Sequence, residues 1–207
     1  MEPLHFRRGF TLIEMLVVLA IIVTVTTIAL SSQSAFNKTL ILANTAYDIA
    51  LTLRSAENFG IGSRALYRTA NAGYGVHFQR GTLGSFILFA DTAPAINSSC
   101  TRPDCRPGDY LYSTDDTLVQ TYTIGNGIMV SDFCTSSDRA RCASTGDLSS
   151  LDIVFARPNP DAFIRANGSS YSAYTAACLV ISSGGGGSRF VSVEASGQII
   201  AEASSCP

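Results

Sequence analysis

Residues suited to acid–base or metal chemistry are scarce in this sequence. Tryptophan is absent, and histidine occurs only at His5 and His77. His77 alternates with Val76 and Phe78 in a strand-like segment, so we expect a surface-facing or hydrogen-bonded strand histidine rather than a catalytic one. No set of nucleophile, base and acid is visible. We therefore expect a protein that is not an enzyme and that carries no cofactor or metal.

Charge is also sparse. The 207 residues include 14 Lys and Arg and 16 Asp and Glu, which gives a net charge of −2. A weakly acidic balance provides no general attraction to nucleic acid. Residues 201–207 include no basic side chain, and the loop arginines are scattered, some of them beside acids: Arg102, Arg106, Arg139, Arg141 and Arg157. Nucleic-acid binding is therefore an open but disfavoured alternative.

Glycine and proline are missing between Phe10 and Phe59. A run of about 50 residues without a helix breaker predicts one helix, about 75 Å long. Its outer part has two neighbouring apolar stripes, formed by Leu42, Ala46, Ile49, Leu53 and Ala56 and by Phe36, Leu40, Ala43 and Tyr47. Together the stripes predict a broad face on which a sheet packs. Gly60 and Gly62 are the expected stops of this helix.

The first part of this helix, residues 10–30, contains a single charge, at Glu14. Its length of about 32 Å matches one hydrocarbon core. Arg7 and Arg8 precede it, and positive charge beside a first apolar helix keeps that end in the cytoplasm. We therefore expect one membrane pass, with the rest of the chain on the other side.

Two simpler explanations of the apolar segment compete. A secretory signal peptide would have a shorter apolar region that ends in small residues, and Ala29-Leu30-Ser31 is a passable cleavage site. A plain membrane anchor leaves Glu14 unexplained, because a carboxylate inside lipid costs a few kcal/mol and is a functional candidate by default.

The N-terminal segment RRGFTLIEMLVVLAII resembles the processing site of type IV pilins and type II secretion pseudopilins. The resemblance implies that a prepilin peptidase cuts after Gly9 and that the new N-terminus at Phe10 is N-methylated. Glu14 stands at the position where the family's motif has a carboxylate. The resemblance also implies that the apolar segment is kept, in contrast to a secretory signal.

The spacing of Phe10 and Glu14 agrees with this implied chemistry. Cleavage would leave an amine at Phe10, about one helical turn from the Glu14 carboxylate. We hypothesise that Glu14 of one subunit pairs with the Phe10 amine of its neighbour in a filament. A buried charge is tolerated when it is paired, so this contact would set the axial register of the subunits.

Beyond Gly62 the hydrophobic pattern changes to period two in short runs. We predict strands at residues 74–78, 85–90, 120–124, 128–133, 151–156, 176–181, 189–194 and 198–201. One long helix followed only by strands implies an α+β fold with an antiparallel sheet wrapped on the helix. The expected organisation is a leader at residues 1–9, a filament-core helix at 10–30, its amphipathic continuation at 31–60 and a β-rich domain at 61–207.

Six cysteines all lie beyond the membrane segment, and their number is even. An exported domain with this usage suggests disulfides, although six cysteines allow 15 connectivities. Proximity along the chain favours Cys100–Cys105 and Cys134–Cys142, which leaves Cys178–Cys206. A zinc site is the alternative, since Cys100-x4-Cys105 has zinc-like spacing, but Cys134-x7-Cys142 does not and His77 would be the only histidine of the mature chain.

Two polar, cysteine-bearing insertions are expected, near residues 92–109 and 135–150. In the first, Asp91, Asp104 and Asp109 resemble part of the calcium loops of some pilin relatives. Ala93 occupies the next alternate position, so the ligand set is incomplete. We expect a solvated loop here rather than a calcium site.

The segment CLVISSGGGGSRFVSVEASGQII resembles the closing hairpin of H-type minor pseudopilins and their FimT-like relatives. The resemblance implies a minor pilin or pseudopilin of the inner membrane, with an outer domain, whose partners are prepilin peptidase and other pilin subunits. The alternatives are a binding module at a filament tip, which captures DNA, a surface or a secreted substrate, and an anchored protein that never polymerises.

Overall fold

The computed structural model of the chain describes residues 9–62, 72–92, 108–136, 141–169, 174–184, 186–203 and 205–206. It contains one helix, α1 (Leu12–Ile61), followed by ten strands. The chain divides after Leu40 into two units, and both sheets belong to the second unit together with the helix from Ile41 onwards. The predicted α+β fold, with a long N-terminal helix before antiparallel sheet, is confirmed.

The first sheet has the order β3-β2-β1-β6-β7, and all of its pairings are antiparallel. Its strands are β1 (Gly73–Gln79), β2 (Ser85–Asp91), β3 (Thr117–Thr123), β6 (Ser150–Phe155) and β7 (Ala162–Ala166). The second sheet has the order β10-β9-β8-β4-β5, also antiparallel. Its strands are β4 (Ile128–Ser136), β5 (Arg141–Cys142), β8 (Ala176–Ser183), β9 (Ser188–Glu194) and β10 (Ile199–Ala203).

The eight predicted strands are all present, with ends that differ by a few residues. Two strands were missed, β5 and β7: β5 has only two residues, and β7 carries Arg165 between apolar positions. The expectation of one sheet was wrong, because the strands pair into two sheets of five. Strand order depends on contacts between distant parts of the chain, which periodicity does not report.

The core lies between the second half of α1 and the inner faces of both sheets. The predicted stripe of Leu42, Ala46, Ile49, Leu53 and Ala56 is buried, with at most 2 % exposure. It belongs to one apolar cluster with side chains of the first sheet, such as Ile153, and of the second, such as Leu179. The second stripe is not part of this face: Phe36, Leu40 and Tyr47 are 62, 45 and 49 % exposed.

Gly60 does not stop the helix, which ends at Ile61. A Cβ atom at Gly60 would lie 2.2 Å from the backbone oxygen of Phe155, so this position needs glycine for close packing of α1 on β6. Gly62 follows the helix end, and its N–H donates to the carbonyl oxygen of Asn58 at 2.8 Å. The helix therefore ends directly before Gly62, the second of the two expected stops.

Candidate functional site

The N-terminal motif lies at the start of α1. Gly9 and Phe10 precede the helix, and Phe10 is 79 % exposed. Thr11 caps the helix, since its Oγ1 accepts a hydrogen bond from the Glu14 N–H at 3.2 Å. Glu14 is the acidic residue of the first turn, where a negative charge is favourable to the helix dipole. The bond between Gly9 and Phe10 is thus in non-helical chain, with Glu14 fixed one turn beyond it.

The apolar part of α1 has no partner among the described residues, and its large side chains from Leu12 to Leu30 are 45–83 % exposed. The helix is long and apolar enough to cross a membrane, with a mean hydropathy of 2.6 over 18 residues. The hydroxyl groups of Thr24, Thr26 and Thr27 donate to backbone carbonyls of the preceding turn at 2.7–3.1 Å. A helix in lipid or in a packed bundle requires hydrogen-bond partners for its polar atoms, and these hydroxyl groups find them within α1.

A second polar cluster lies on the outer face of the first sheet, opposite the core. It is covered by residues 108–116, which we call the strap. The strap contacts the sheet through aromatic side chains. Tyr110 stacks on Phe163 with ring centroids 3.9 Å apart, and the ring centroids of Tyr112 and Phe89 are 5.1 Å apart. Tyr110 has a φ of 63°, a conformation that a bulky residue adopts at a cost of about 1 kcal/mol or more. These contacts hold the strap against β2 and β7.

Asp91, the last residue of β2, is fully buried below the strap. Its Oδ1 accepts the Asp109 N–H at 3.2 Å and its Oδ2 accepts the Tyr110 N–H at 2.9 Å. Burial is the main cause that raises the pKa of Asp91 to about 8; the nearby Asp116 and Asp109 carboxylates contribute to the rise, and the Tyr110 and Asp109 N–H groups oppose it. Burial also raises the pKa of Asp109, whose Oδ1 accepts the Leu111 N–H at 3.0 Å.

His77 of β1 and Asp152 of β6 form a buried pair on the same face. Nδ1 of His77 lies 2.7 Å from Oδ1 of Asp152, which also accepts the Tyr112 N–H at 3.2 Å. Burial raises the pKa of Asp152, although the bond to His77 opposes the change. His77 is therefore a hydrogen-bonded strand histidine, the second of the two expectations, and its ring lies against Tyr112 at 4.7 Å.

Asp116 closes the far end of the strap. Its Oδ2 accepts the Ser113 N–H at 2.7 Å, and its Oδ1 accepts the Thr92 N–H at 2.9 Å. Asp91 from β2 and Asp152 from β6 thus bind the backbone of the strap, and Asp116 binds it from within. Asp91 itself is not solvated, since it has no exposed surface, whereas residues 93–107 of the expected solvated loop lie outside the described residues.

The roles of Asp116 and Asp152 were not predicted from the sequence. Asp152 is a single charge inside the apolar strand β6, and a lone charge among apolar strand residues was the available signal. Asp116 follows Asp115 in what reads as a turn, so its contact with Thr92 depends on the fold alone.

The described cysteines form two disulfides, Cys134–Cys142 and Cys178–Cys206. Cys134–Cys142 is a pair that proximity along the chain favoured, and Cys178–Cys206 is the pair that it left, so both predictions are confirmed. Asp132 lies beside the first, but both sulfur atoms of that cluster are in the disulfide and provide no thiolate for a metal. Cys100–Cys105, Arg7 and Arg8 lie outside the described residues, as do Asp104 and most of the insertion near residues 92–109.

The N-terminal motif, which lies at the start of α1, also matches a known protein family. Residues 4–30 match the family model described as the prokaryotic N-terminal methylation motif. The match supports the type IV pilin and pseudopilin family, and it implies processing by prepilin peptidase and assembly with other pilin subunits. Together with the apolar helix, the motif is consistent with anchoring in a membrane through the first part of α1. No curated protein and no solved structure matches the chain.

Proposed function

We propose that this chain is a structural subunit, a minor pilin or pseudopilin, of a type IV pilus or a type II secretion pseudopilus. The observation that carries the proposal is the helix start: Gly9 and Phe10 stand immediately before an exposed apolar helix whose only charge up to Leu30 is Glu14. A helix that is apolar on all sides needs lipid or other helices around it. Lipid surrounds this segment before assembly, and the helices of neighbouring subunits surround it in the filament.

In this function the peptidase cuts between Gly9 and Phe10, and Phe10 becomes the N-methylated N-terminus. The cytoplasmic end carries Arg7 and Arg8, and the two sheets lie outside the inner membrane. Glu14 then pairs with the Phe10 amine of a neighbouring subunit and sets the register of the filament. The protein acts by assembly and not as an enzyme.

The closing strands favour the H-type minor pseudopilin group. β8 and β9 are consecutive strands that pair antiparallel, and a small-Gly turn at Gly197 leads to the short strand β10. This order of strands and turns is the one that the resemblance of residues 178–200 to the closing hairpin of H-type minor pseudopilins implied. The resemblance supports the subclass without distinguishing a pilus from a secretion system.

The first experiment is mass spectrometry and N-terminal sequencing of the protein from membranes and from sheared surface filaments. A chain that begins at N-methyl-Phe10 and is present in filaments supports the proposal. A chain that begins near Ser32 would be a secreted protein, and a processed chain that never enters filaments would be a non-polymerising anchored protein.

Glu14→Val tests the register role. We expect the variant to be processed and inserted but to enter filaments at least about tenfold less, because the amine of the neighbouring subunit loses its partner. Thr26→Val is the matched control, since it removes a polar atom from the same segment that bonds only to its own helix. Wild-type levels of Glu14→Val in filaments would contradict the role of Glu14, while the filament proposal would stand.

A further inference from the structure

The sequence contains two Asn-Gly pairs, and the structure places both in turns that follow strands. Asn126-Gly127 joins β3 to β4, and Asn167-Gly168 follows β7. We propose that Asn126 is a site of spontaneous deamidation and that hydrogen bonds to its side chain protect Asn167 from the same reaction. The products, aspartate and isoaspartate, add a negative charge to the connection between the two sheets.

Deamidation of an Asn-Gly pair is an intramolecular reaction that needs only water and a base such as hydroxide. The Gly127 backbone nitrogen, once deprotonated, attacks Cγ of Asn126 and forms the C–N bond of a five-membered succinimide. The bond from Cγ to Nδ2 breaks, and Nδ2 takes up a proton and leaves as ammonia. Water then opens the ring at either carbonyl carbon, which gives aspartate or isoaspartate. Glycine favours the attack, because it has no side chain to obstruct the approach.

The backbones of the two turns are alike. Residues 125–128 and 166–169 are each closed by a hydrogen bond of 3.1 Å from the N–H of the fourth residue to the carbonyl oxygen of the first. φ is 61° at Asn126 and 58° at Asn167, and it is 69° and 65° at the glycines that follow. Positive φ at both central residues is the type I′ turn that Asn-Gly favours. Both asparagines are exposed, so backbone conformation and access to water do not distinguish the two sites.

The side chains of the two asparagines differ in their hydrogen bonds. Oδ1 of Asn167 accepts the N–H and the hydroxyl group of Ser149 at 2.6 and 3.1 Å, and Nδ2 donates to the carbonyl oxygen of Asp147 at 2.7 Å. The Asn126 side chain makes no hydrogen bond with any residue that the structure describes. To form a succinimide the carboxamide must turn toward the following nitrogen, so Asn167 must first break three hydrogen bonds. Asn126 has no such barrier.

Asn126 lies where its modification changes a surface shared by several elements. With Asp48 of α1 and Tyr122 of β3 it lines a cavity of about 480 Å³. The carbonyl oxygen of Gly127 accepts the N–H of Gly184, the residue after β8, at 3.3 Å. Aspartate at position 126 adds a second carboxylate to the cavity, and isoaspartate also lengthens the turn backbone by one methylene group. Both products therefore alter the surface where α1 meets the connection between the sheets.

Peptide mass spectrometry of the full processed chain, aged in detergent micelles at mildly alkaline pH, tests the proposal. Replacement of NH₂ by OH changes the peptide mass, and fragment spectra assign the position. In the folded chain we expect Asn126 to react at least about tenfold faster than Asn167, because the bonds of Asn167 raise its barrier. In denaturant the two rates should become similar, since both asparagines precede glycine. Equal rates in the folded chain would overturn the proposal.

Ser149→Ala tests the cause of the protection, because it removes one hydrogen-bond donor of Asn167 and leaves the backbone donor in place. We expect faster deamidation of Asn167 and an unchanged rate at Asn126. A rate of Asn167 that does not rise would overturn the assigned protection.

Asn126→Gln is the matched control for the site, because glutamine would have to form a six-membered ring, which is slower. Ion-exchange chromatography of the aged wild type should resolve a more acidic species that the aged variant lacks. Formation of this species at the wild-type rate in Asn126→Gln would overturn the assignment to Asn126.

Discussion

The two sheets of the second unit share one apolar core, but they differ in what secures their outer parts. In the first sheet, Asp91 of β2 and Asp152 of β6 bind backbone N–H groups of the strap, and Asp116 of the strap accepts the N–H groups of Ser113 and Thr92. In the second sheet, Cys134–Cys142 joins neighbouring strands, and Cys178–Cys206 ties the central strand β8 to the end of the chain. The first arrangement responds to protons and the second to reductants.

This difference shows how one domain secures long connections in two ways. Disulfides act largely by restricting the unfolded chain, so their effect grows with the length of the loop that they close. Buried carboxylates act in the folded state and need every partner in place, since an unpaired buried charge is costly. Loss of a buried partner should therefore have the larger effect.

The largest effect is expected from Asp152→Ala in the first sheet. His77 and the Tyr112 N–H lose their shared partner, and removal of one member of a buried pair costs about 3–5 kcal/mol. Denaturant unfolding of the full chain in micelles measures the change. Asp161→Ala, at an exposed position before β7, is the control and should stay within about 0.5 kcal/mol of the wild type. Equal stability of the two variants would show that the buried pair contributes nothing.

A slightly smaller loss is expected from the double variant Cys178→Ser with Cys206→Ser. The sequence separation of 28 residues corresponds to about 3–4 kcal/mol on the loop-entropy model. The same unfolding experiment under non-reducing conditions measures it. Exchange protection of the strap should not change, and its loss would mean that the two sheets are not secured independently.

The smallest of these effects is expected from Cys134→Ser with Cys142→Ser. These cysteines are separated by eight positions and are paired across β4 and β5, so the model gives about 2–3 kcal/mol. If this variant loses more stability than the variant of the longer loop, loop length is not what decides the contribution of the disulfides. In that case the disulfide holds the short strand β5 in the sheet, which exchange of the Ala143 amide would report.

Local signals predicted much of the fold and of the N-terminal site. The absence of Gly and Pro predicted α1, and helical spacing identified Leu42, Ile49 and Leu53 as core residues, because both signals act within a few turns. The exposure of Phe36, Leu40 and Tyr47 could not be read from spacing. Two apolar stripes of a helix look alike in sequence, and only the position of the sheets decides which is covered.

By itself, the sequence determined the helix, the period-two strands and the motif around Gly9, Phe10 and Glu14, since each depends on residues close together in the chain. Only the tertiary structure decided the split into two sheets and the approach of Asp91 and Asp152 to the strap, which contains Asp116. Those aspartates are 25 to 61 positions apart, so their contacts, and the burial that raises the pKa of Asp91 and Asp152, exist only once the strands have paired.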